Sequence, residues 1–230
     1  MTVMNRRTVV SAAGAGLILP GLARARAVDP RDVMLDAAAT RTGAPPAMAA
    51  AVVTRDGIEW SGVRGVRKSD GAEPAGPHDR WHLGSNTKAM TAAIWARLIE
   101  QGRARWDMPL AEAFPDVKVD AAYDGLTVET LLRHKAGLLD KDGMPSPMVA
   151  RADPRPVGEQ RAALAVALTR APTGSVGQFV YGNLNYMLVG AAIELITGQS
   201  WEDVTQAELF RPLGLTSAGF GAPSANADGG

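Results

Sequence analysis

Cysteine is missing from this chain of 230 residues. Its absence excludes disulfides, thiolate nucleophiles, zinc–thiolate sites and lipid attachment through a lipoprotein-type Cys. Histidine is scarce, with His78, His82 and His134 the only three. They lack the spacing of metal ligands and H-E-x-x-H does not occur, so no metal site is expected. No G-x-S-x-G is present, which removes the nucleophile elbow of a Ser-His-Asp hydrolase. No glycine-rich phosphate cradle is present either; Gly62 and Gly65 form an isolated pair in a strand-like run, and no cofactor is expected. Charge of one sign is also lacking: 24 basic residues face 24 acidic ones. There is no basic patch for nucleic acid and no basic amphipathic helix for a membrane surface. Internal repeats and long low-complexity tracts are absent.

What is present begins with an export signal. Arg6-Arg7 precedes an apolar Ala/Gly/Leu run, and Ala25-Arg26-Ala27 is an A-x-A-like cleavage site. The paired arginines point to the twin-arginine route. Residues 1–27 are therefore expected to be removed, with the mature chain starting near Val28 in the periplasm or outside the cell. The apolar run is too short to span a membrane and is interrupted by Pro20, so the mature form should keep no stable span. Removal takes away four arginines (Arg6, Arg7, Arg24, Arg26) and no acid, leaving a mildly acidic protein.

In the mature chain, residues 30–41 read as a short amphipathic helix stopped by Gly43 and Pro45-Pro46. Two β-rich runs, 48–54 and 58–66, flank Asp56-Gly57, a strong hairpin signal. A Gly/Pro/Asp loop fills 69–80. From Ser85 to about Gln101 the chain reads as a helix apolar nearly all round, hence buried, and ended by Gly102. Thr127 should cap a helix over 128–134, and 157–170 form another helical run. Asn183–Thr197 is strongly periodic through Leu184, Met187, Leu188, Ala191 and Leu195, and stops at Gly198. Ser200 opens a last helix that Pro212 stops.

The order helix, hairpin, helices is an α+β arrangement. It divides the mature chain into an N-terminal helix and hairpin (28–84), a helical region (85–221) and a loose tail (222–230). A lone hairpin is marginal in water, so the sheet needs more strands, and none is evident after residue 198. The sequence thus reads as a fold whose C-terminal sheet strands are missing.

The chemistry centres on "HLGSNTKAM". At a helix start, Ser85 and Lys88 lie one turn apart on one face. A serine hydroxyl needs a base to act as a nucleophile, and a lysine serves where burial or a nearby cation disfavours its ammonium form. Helix-terminal N–H groups could stabilise an oxyanion. The plain alternative is that Ser85 caps the helix. A second element shifts the balance. Tyr181 and Asn183 are two apart, so extended backbone points both the same way. A phenol near a lysine can relay protons, and a carboxamide can hold a substrate amide and the lysine together. S-x-x-K with Y-x-N is far more specific than either alone.

Three stretches, "WHLGSNTKAMTA", "LTVETLLRHKAGL" and the run from Tyr181 to Gly221, resemble the serine β-lactamase and penicillin-binding protein superfamily. The resemblance lies with its class C β-lactamase, D-alanyl-D-alanine carboxypeptidase and esterase branch. It implies a β-lactamase/transpeptidase-like fold in which an antiparallel sheet packs with helices. It also implies Ser85 as the acylated nucleophile, Lys88 as its proton partner, Tyr181 as a second acid/base and Asn183 as a substrate and lysine contact. The Ser85 N–H would form half of the oxyanion hole, and His134 would be structural. Class A enzymes would show Ser-Asp-Asn where Tyr181-Gly182-Asn183 stands. Two departures are visible. Gly182 replaces the usual Ser or Ala, a change expected to be harmless. The third motif, Lys-Thr-Gly or His-x-Gly on a late strand, is absent; the look-alikes at Lys135 and Lys141 precede Tyr181.

The resemblance implies an exported serine hydrolase acting on β-lactam, D-Ala-D-Ala-type amide or ester substrates, small molecules or peptidoglycan-like. The 230-residue form is expected to have little activity. A non-catalytic relative that binds cell-wall peptides or a protein partner is the reading from another function class.

Overall fold

The computed structural model describes residues 28–145 and 153–221. The expected export signal and the tail from 222 lie outside them. The described chain divides into two compact units, one up to Asp79 and one from Arg80.

The first unit begins with helix α1, Pro30–Thr40. Asp29 caps it by accepting the Arg31 N–H at 2.9 Å, and Pro30 takes the first helical position, where its missing N–H costs nothing. Strands β1 (Ala47–Thr54) and β2 (Gly57–Gly65) pair antiparallel, from Ala47 opposite Gly65 to Thr54 opposite Gly57. The hairpin is thus where the sequence predicts it, but the two-residue turn is Arg55-Asp56, and Gly57 already opens β2. Opposite the Val52–Val53 step the pairing passes from Trp60 to Ile58, so Glu59 bulges out of the ladder. Leu35 of α1 is buried over Gly62, where a Cβ would lie 2.7 Å from Leu35 Cδ2. Arg64 ties β2 to Asp32 and Asp36 of α1. Among the described residues the sheet has two strands.

The second unit is helical. Its two long helices are α2 (Asn86–Glu100) and, later in the chain, Asn183–Thr197. Between them come α3 (Leu110–Ala113), α4 (Val128–Leu132) and α5 (Val157–Ala163), which makes Asn183–Thr197 α6; α7 is Trp201–Thr205. The core is Ile94, Trp95 and Leu98 of α2 against Phe114, Leu131, Leu168, Leu184, Leu188 and Ile193, all fully buried. Each such side chain contributes roughly 1.5–3 kcal/mol by leaving water, which anchors both long helices.

Three details depart from the sequence expectation. Helix α2 is not buried all round: Thr91, Ile94, Trp95 and Leu98 are, but Arg97 is exposed, as are Ser85, Asn86 and Ala89 at its start. In α6, Met187 and Leu195 are 37% and 49% exposed, while Asn185, Val189, Ala192 and Ile193 are buried. The small residue Gly190 admits a neighbour closely, since a Cβ there would fall 3.0 Å from Arg161 Cδ, and so the buried face turns toward α5. The run from 157 tightens after α5 into a 3₁₀ segment, Leu164–Thr169. There the Leu168 carbonyl leaves the helical ladder to accept the Asp120 N–H at 2.8 Å.

Candidate active site

Ser85 occupies the position before α2 but does not cap it. Its backbone is helical (φ −71°, ψ −5°) and its side chain makes no cap hydrogen bond. Its Oγ instead lies 2.7 Å from the Tyr181 hydroxyl and accepts from Lys88 Nζ at 3.1 Å. Lys88 Nζ also donates to Asn183 Oδ1 at 2.7 Å. The four side chains singled out in the sequence therefore meet at one point, although 96 residues separate Ser85 from Tyr181.

Each is placed by a distinct local cause. Ser85 and Lys88 share a face because one helical turn separates them. Gly182 is extended (φ −155°, ψ 139°), so Tyr181 reaches toward α2 while Asn183 begins α6. The segment before Gly182 is laid on the loop after α4. The Gly177 and Val180 N–H groups donate to the Lys135 and His134 carbonyls at 2.8 and 3.0 Å, and Gly174 N–H donates to the Gly137 carbonyl at 2.8 Å. Asp142 accepts from Thr173 Oγ1 at 2.6 Å and from Leu139 N–H at 2.9 Å.

His134 is buried and sits at φ 55°, rare for a residue other than glycine. Its Nδ1 accepts the Gly182 N–H at 3.3 Å, and its ring packs against Tyr181 and Tyr186 at centroid distances of 4.8 and 5.1 Å. Burial, reinforced by the Lys88 charge, pushes its pKa below the usual histidine value. A neutral ring with a free Nδ1 lone pair is what the bond from Gly182 requires. The structural role that the resemblance assigns to His134 fits this packing.

The electrostatics of the cluster centre on Lys88. Its ammonium lies 4.8 Å from the centroid of the Tyr181 ring. The Lys88 cation, with help from the Ser85 hydroxyl, holds the Tyr181 phenol below its usual pKa. Lys88 itself is half-buried, and Ser85 and Tyr181 are exposed, so the cluster opens to solvent. This corrects the expectation of a lysine enclosed by an apolar helix: the first turn of α2 stands at the surface. The orphan N–H groups expected there are also mostly used. Asn86 N–H donates to the Leu83 carbonyl and Thr87 N–H to the Gly84 carbonyl, both at 3.2 Å. Among the described residues, no acceptor takes the Ser85 N–H, which leaves it as the candidate oxyanion donor.

Two residues escape the sequence reading. Asp140 accepts from Asn183 Nδ2 at 3.0 Å and from the Leu184 N–H at 2.9 Å. Asn185, fully buried, donates from Nδ2 to the carbonyls of Leu138 and Gly182 at 3.3 and 3.5 Å. Neither carries a local signal, because both act across turns or loops. Gly182 is also less neutral than expected. A Cβ there would lie 3.1 Å from Asp140 Oδ1 and 3.2 Å from Asn185 Nδ2, so the glycine makes room for both. No group of three metal-ligating side chains occurs among the described residues, and no helix among them is long and apolar enough to cross a membrane.

Ser85 Oγ touches both the Lys88 ammonium and the Tyr181 phenol, and the phenolate that Lys88 favours is a group able to take a proton from a serine. The chain belongs to the β-lactamase family: the family model described as Beta-lactamase matches residues 35–230. Its fold is the β-lactamase/transpeptidase-like one, within the serine β-lactamase and penicillin-binding protein superfamily. The chain is similar to Protein flp of Staphylococcus aureus (strain N315), 27% identical over 68% of this chain and 31% of that protein. It is similar to Unguisins hydrolase ungD' of Aspergillus campestris, 28% identical over 80% of this chain and 35% of that protein. It also matches the crystal structure of a D-stereospecific amidohydrolase from Streptomyces sp., with TM-score 0.59 and 30% identity, over 79% of this chain and 53% of that one. The chain spans about a third of the length of the two curated relatives. The family is one of hydrolase-type enzymes.

Proposed function

We propose that the chain is an exported serine hydrolase that forms an acyl-enzyme on Ser85. The observation that carries this is the contact of Ser85 Oγ with both Tyr181 Oη (2.7 Å) and Lys88 Nζ (3.1 Å). In the proposed reaction, Oγ forms a bond to the carbonyl carbon of an amide or ester as its proton passes to Tyr181 Oη of the Lys88–Tyr181 pair, in the phenolate form that the Lys88 ammonium favours. The negative charge developing on the carbonyl oxygen is met by the Ser85 N–H. The pair returns the proton to the departing amine or alcohol as the scissile bond breaks. Water then attacks the ester on Ser85, gives its proton to the same pair, and restores the hydroxyl. Asn183 holds Lys88 toward Oγ and offers its carboxamide to the substrate.

The exposure of Ser85 and Tyr181 and the lowered pKa of the Tyr181 phenol support this reading. The substrates proposed are β-lactams, D-Ala-D-Ala-type peptides and esters, in keeping with a D-stereospecific amidohydrolase and an unguisins hydrolase among the relatives. The test is covalent labelling with a fluorescent fluorophosphonate and a fluorescent penicillin. A label that maps to Ser85 and disappears in Ser85→Ala is the expected result. A folded protein that takes neither label overturns the proposal and leaves the non-catalytic, peptide-binding reading.

A further inference from the structure

The carboxamide of Asn183 has two unlike ends, and each faces a partner that tolerates only one of them. Oδ1 faces Lys88 Nζ, which as an ammonium can only donate; Nδ2 faces Asp140 Oδ2, which as a carboxylate can only accept. Turning the amide over would set an NH2 against an ammonium and a carbonyl against a carboxylate. Asp140 is held in place by its second job. Its Oδ1 accepts the Leu184 N–H at 2.9 Å, one of the unpaired donors of the first turn of α6. Gly182, at the cap position of that helix, has no side chain to do this. One carboxylate 43 residues away in the chain therefore caps α6 and fixes the amide beside it.

We propose that Asp140 is a positioning residue for Lys88, acting through the orientation of the Asn183 amide. The relay runs from Asp140 Oδ2 to Asn183 Nδ2 (3.0 Å), from Asn183 Oδ1 to Lys88 Nζ (2.7 Å), and from Nζ to Ser85 Oγ (3.1 Å). The inference deepens the proposed serine chemistry and rests on it for its kinetic consequence.

In Asp140→Asn the new side chain keeps one oxygen for the Leu184 N–H, so the cap survives. Its NH2 then confronts Asn183 Nδ2. The Asn183 amide turns over and presents an NH2 to the lysine. In Asn183→Asp the carboxylate of Asp140 faces a second carboxylate. In the double variant Asp140→Asn/Asn183→Asp, the carboxylate now at position 183 accepts from the carboxamide NH2 at position 140 and from Lys88 Nζ, and the network closes again. A carboxylate beside the ammonium offsets the charge that holds the Tyr181 phenol down, so the double variant should reach its labelling rate at higher pH than wild type.

The experiment measures the rate of fluorophosphonate labelling at Ser85 across pH 7–10, with unfolding midpoints, for the four members of this cycle. Asp140→Asn is expected to label at least about tenfold more slowly, as befits a lost charge-assisted hydrogen bond, with a midpoint near wild type. The double variant is expected to label faster, and to unfold at a higher temperature, than Asn183→Asp. That comparison holds even where Asp140→Asn alone does not fold. Proton exchange at the Asn183 side-chain amide, assigned by its loss in Asn183→Asp, should be about tenfold faster in Asp140→Asn. Since it needs no reactive serine, it separates the two ideas: an unlabelled wild type strikes the serine chemistry, and unchanged amide exchange strikes the positioning role. A folded Asp140→Asn that labels at the wild-type rate, or a double variant no better than Asn183→Asp, overturns the inference.

Discussion

Tyr181→Phe separates two jobs that the phenol could do for Ser85. The substitution removes one oxygen and keeps the ring. Tyr181 is exposed, and its ring contact with His134 survives in phenylalanine. The unfolding midpoint should therefore move by no more than about 2 °C. If the phenol merely steadies Oγ through the 2.7 Å contact, the loss is that of one ordinary hydrogen bond, about two- to tenfold in labelling rate. If it carries the serine proton together with Lys88, the loss is that of a general acid/base, on the order of 10²- to 10⁴-fold. The pH dependence gives a second sign. Lys88 holds the phenol below its usual value of about 10, so the labelling rate of the wild type should rise through a pH below that value. Tyr181→Phe should lose this limb, and Lys88→Gln should move it upward, because the cation that lowers the phenol is gone. The assay is the observed rate constant with a fluorophosphonate from pH 6 to 10, alongside thermal unfolding. A rate within tenfold of wild type and an unchanged pH limb in folded Tyr181→Phe would refute the relay.

Ser85→Ala should leave stability within about 0.5 kcal/mol of wild type in urea unfolding, since Ser85 makes no cap bond; a loss near the ~1 kcal/mol of a real cap would contradict the geometry. His134 has a depressed pKa in the fold, so the unfolded chain takes up its proton first. Stability should be full above about pH 6.5 and decline as pH falls through the lower folded value. His134→Asn, whose side chain tolerates the positive φ, should flatten the difference in unfolding midpoint between pH 7.5 and 5.5; an unchanged difference would remove His134 as its cause. Gly137→Ala forces a Cβ to within 2.8 Å of the Gly174 carbonyl oxygen at φ 73°, and should cost about 1–3 kcal/mol while slowing labelling, as the segment leading to Tyr181 is pushed off its loop. A neutral effect in urea unfolding would show that the two loops are not locked together.

How much of this is readable in the sequence depends on the range of the interaction. S-x-x-K is legible because helical spacing alone brings Lys88 to Ser85. Y-x-N is legible because extended backbone alone sends Tyr181 and Asn183 the same way. The hairpin is legible from its turn residues, though one residue out, since Gly57 pairs with Thr54 and does not sit in the loop. Periodicity places Met187 and Leu195 on the inner stripe of α6 because it counts only apolar positions. It does not register that Gly190 admits a close neighbour, or that Asn185 is buried with bonds to the Leu138 and Gly182 carbonyls. Asp140 is invisible for a related reason. In "GLLDKD" an acid looks like a solvated loop residue, and its two partners lie 43 and 44 residues further on.

Whether Ser85 caps a helix or waits beside a lysine turns on the residue before it. A side chain is recruited as a cap when the first N–H groups of a helix lack acceptors. Here Gly84 adopts φ 54°, a conformation open to glycine at little cost, and closes a turn that leads directly into α2. The Leu83 and Gly84 carbonyls accept the Asn86 and Thr87 N–H groups, and the Ser85 carbonyl accepts from Lys88 at 3.0 Å. The demand that a capping hydroxyl would meet has already been met by backbone. Ser85 can therefore take helical dihedrals itself and turn its oxygen toward Lys88 and Tyr181. A Cβ at position 84 would meet nothing closer than His82 Nδ1 at 3.9 Å, but a side chain at φ 54° is strained, and relief of that strain would open the turn and free those N–H groups. The serine hydroxyl would then be drawn back to them and away from the lysine. Gly84, which has no side chain to touch Lys88 or Tyr181, thus helps to free the Ser85 hydroxyl for the partners that do touch it.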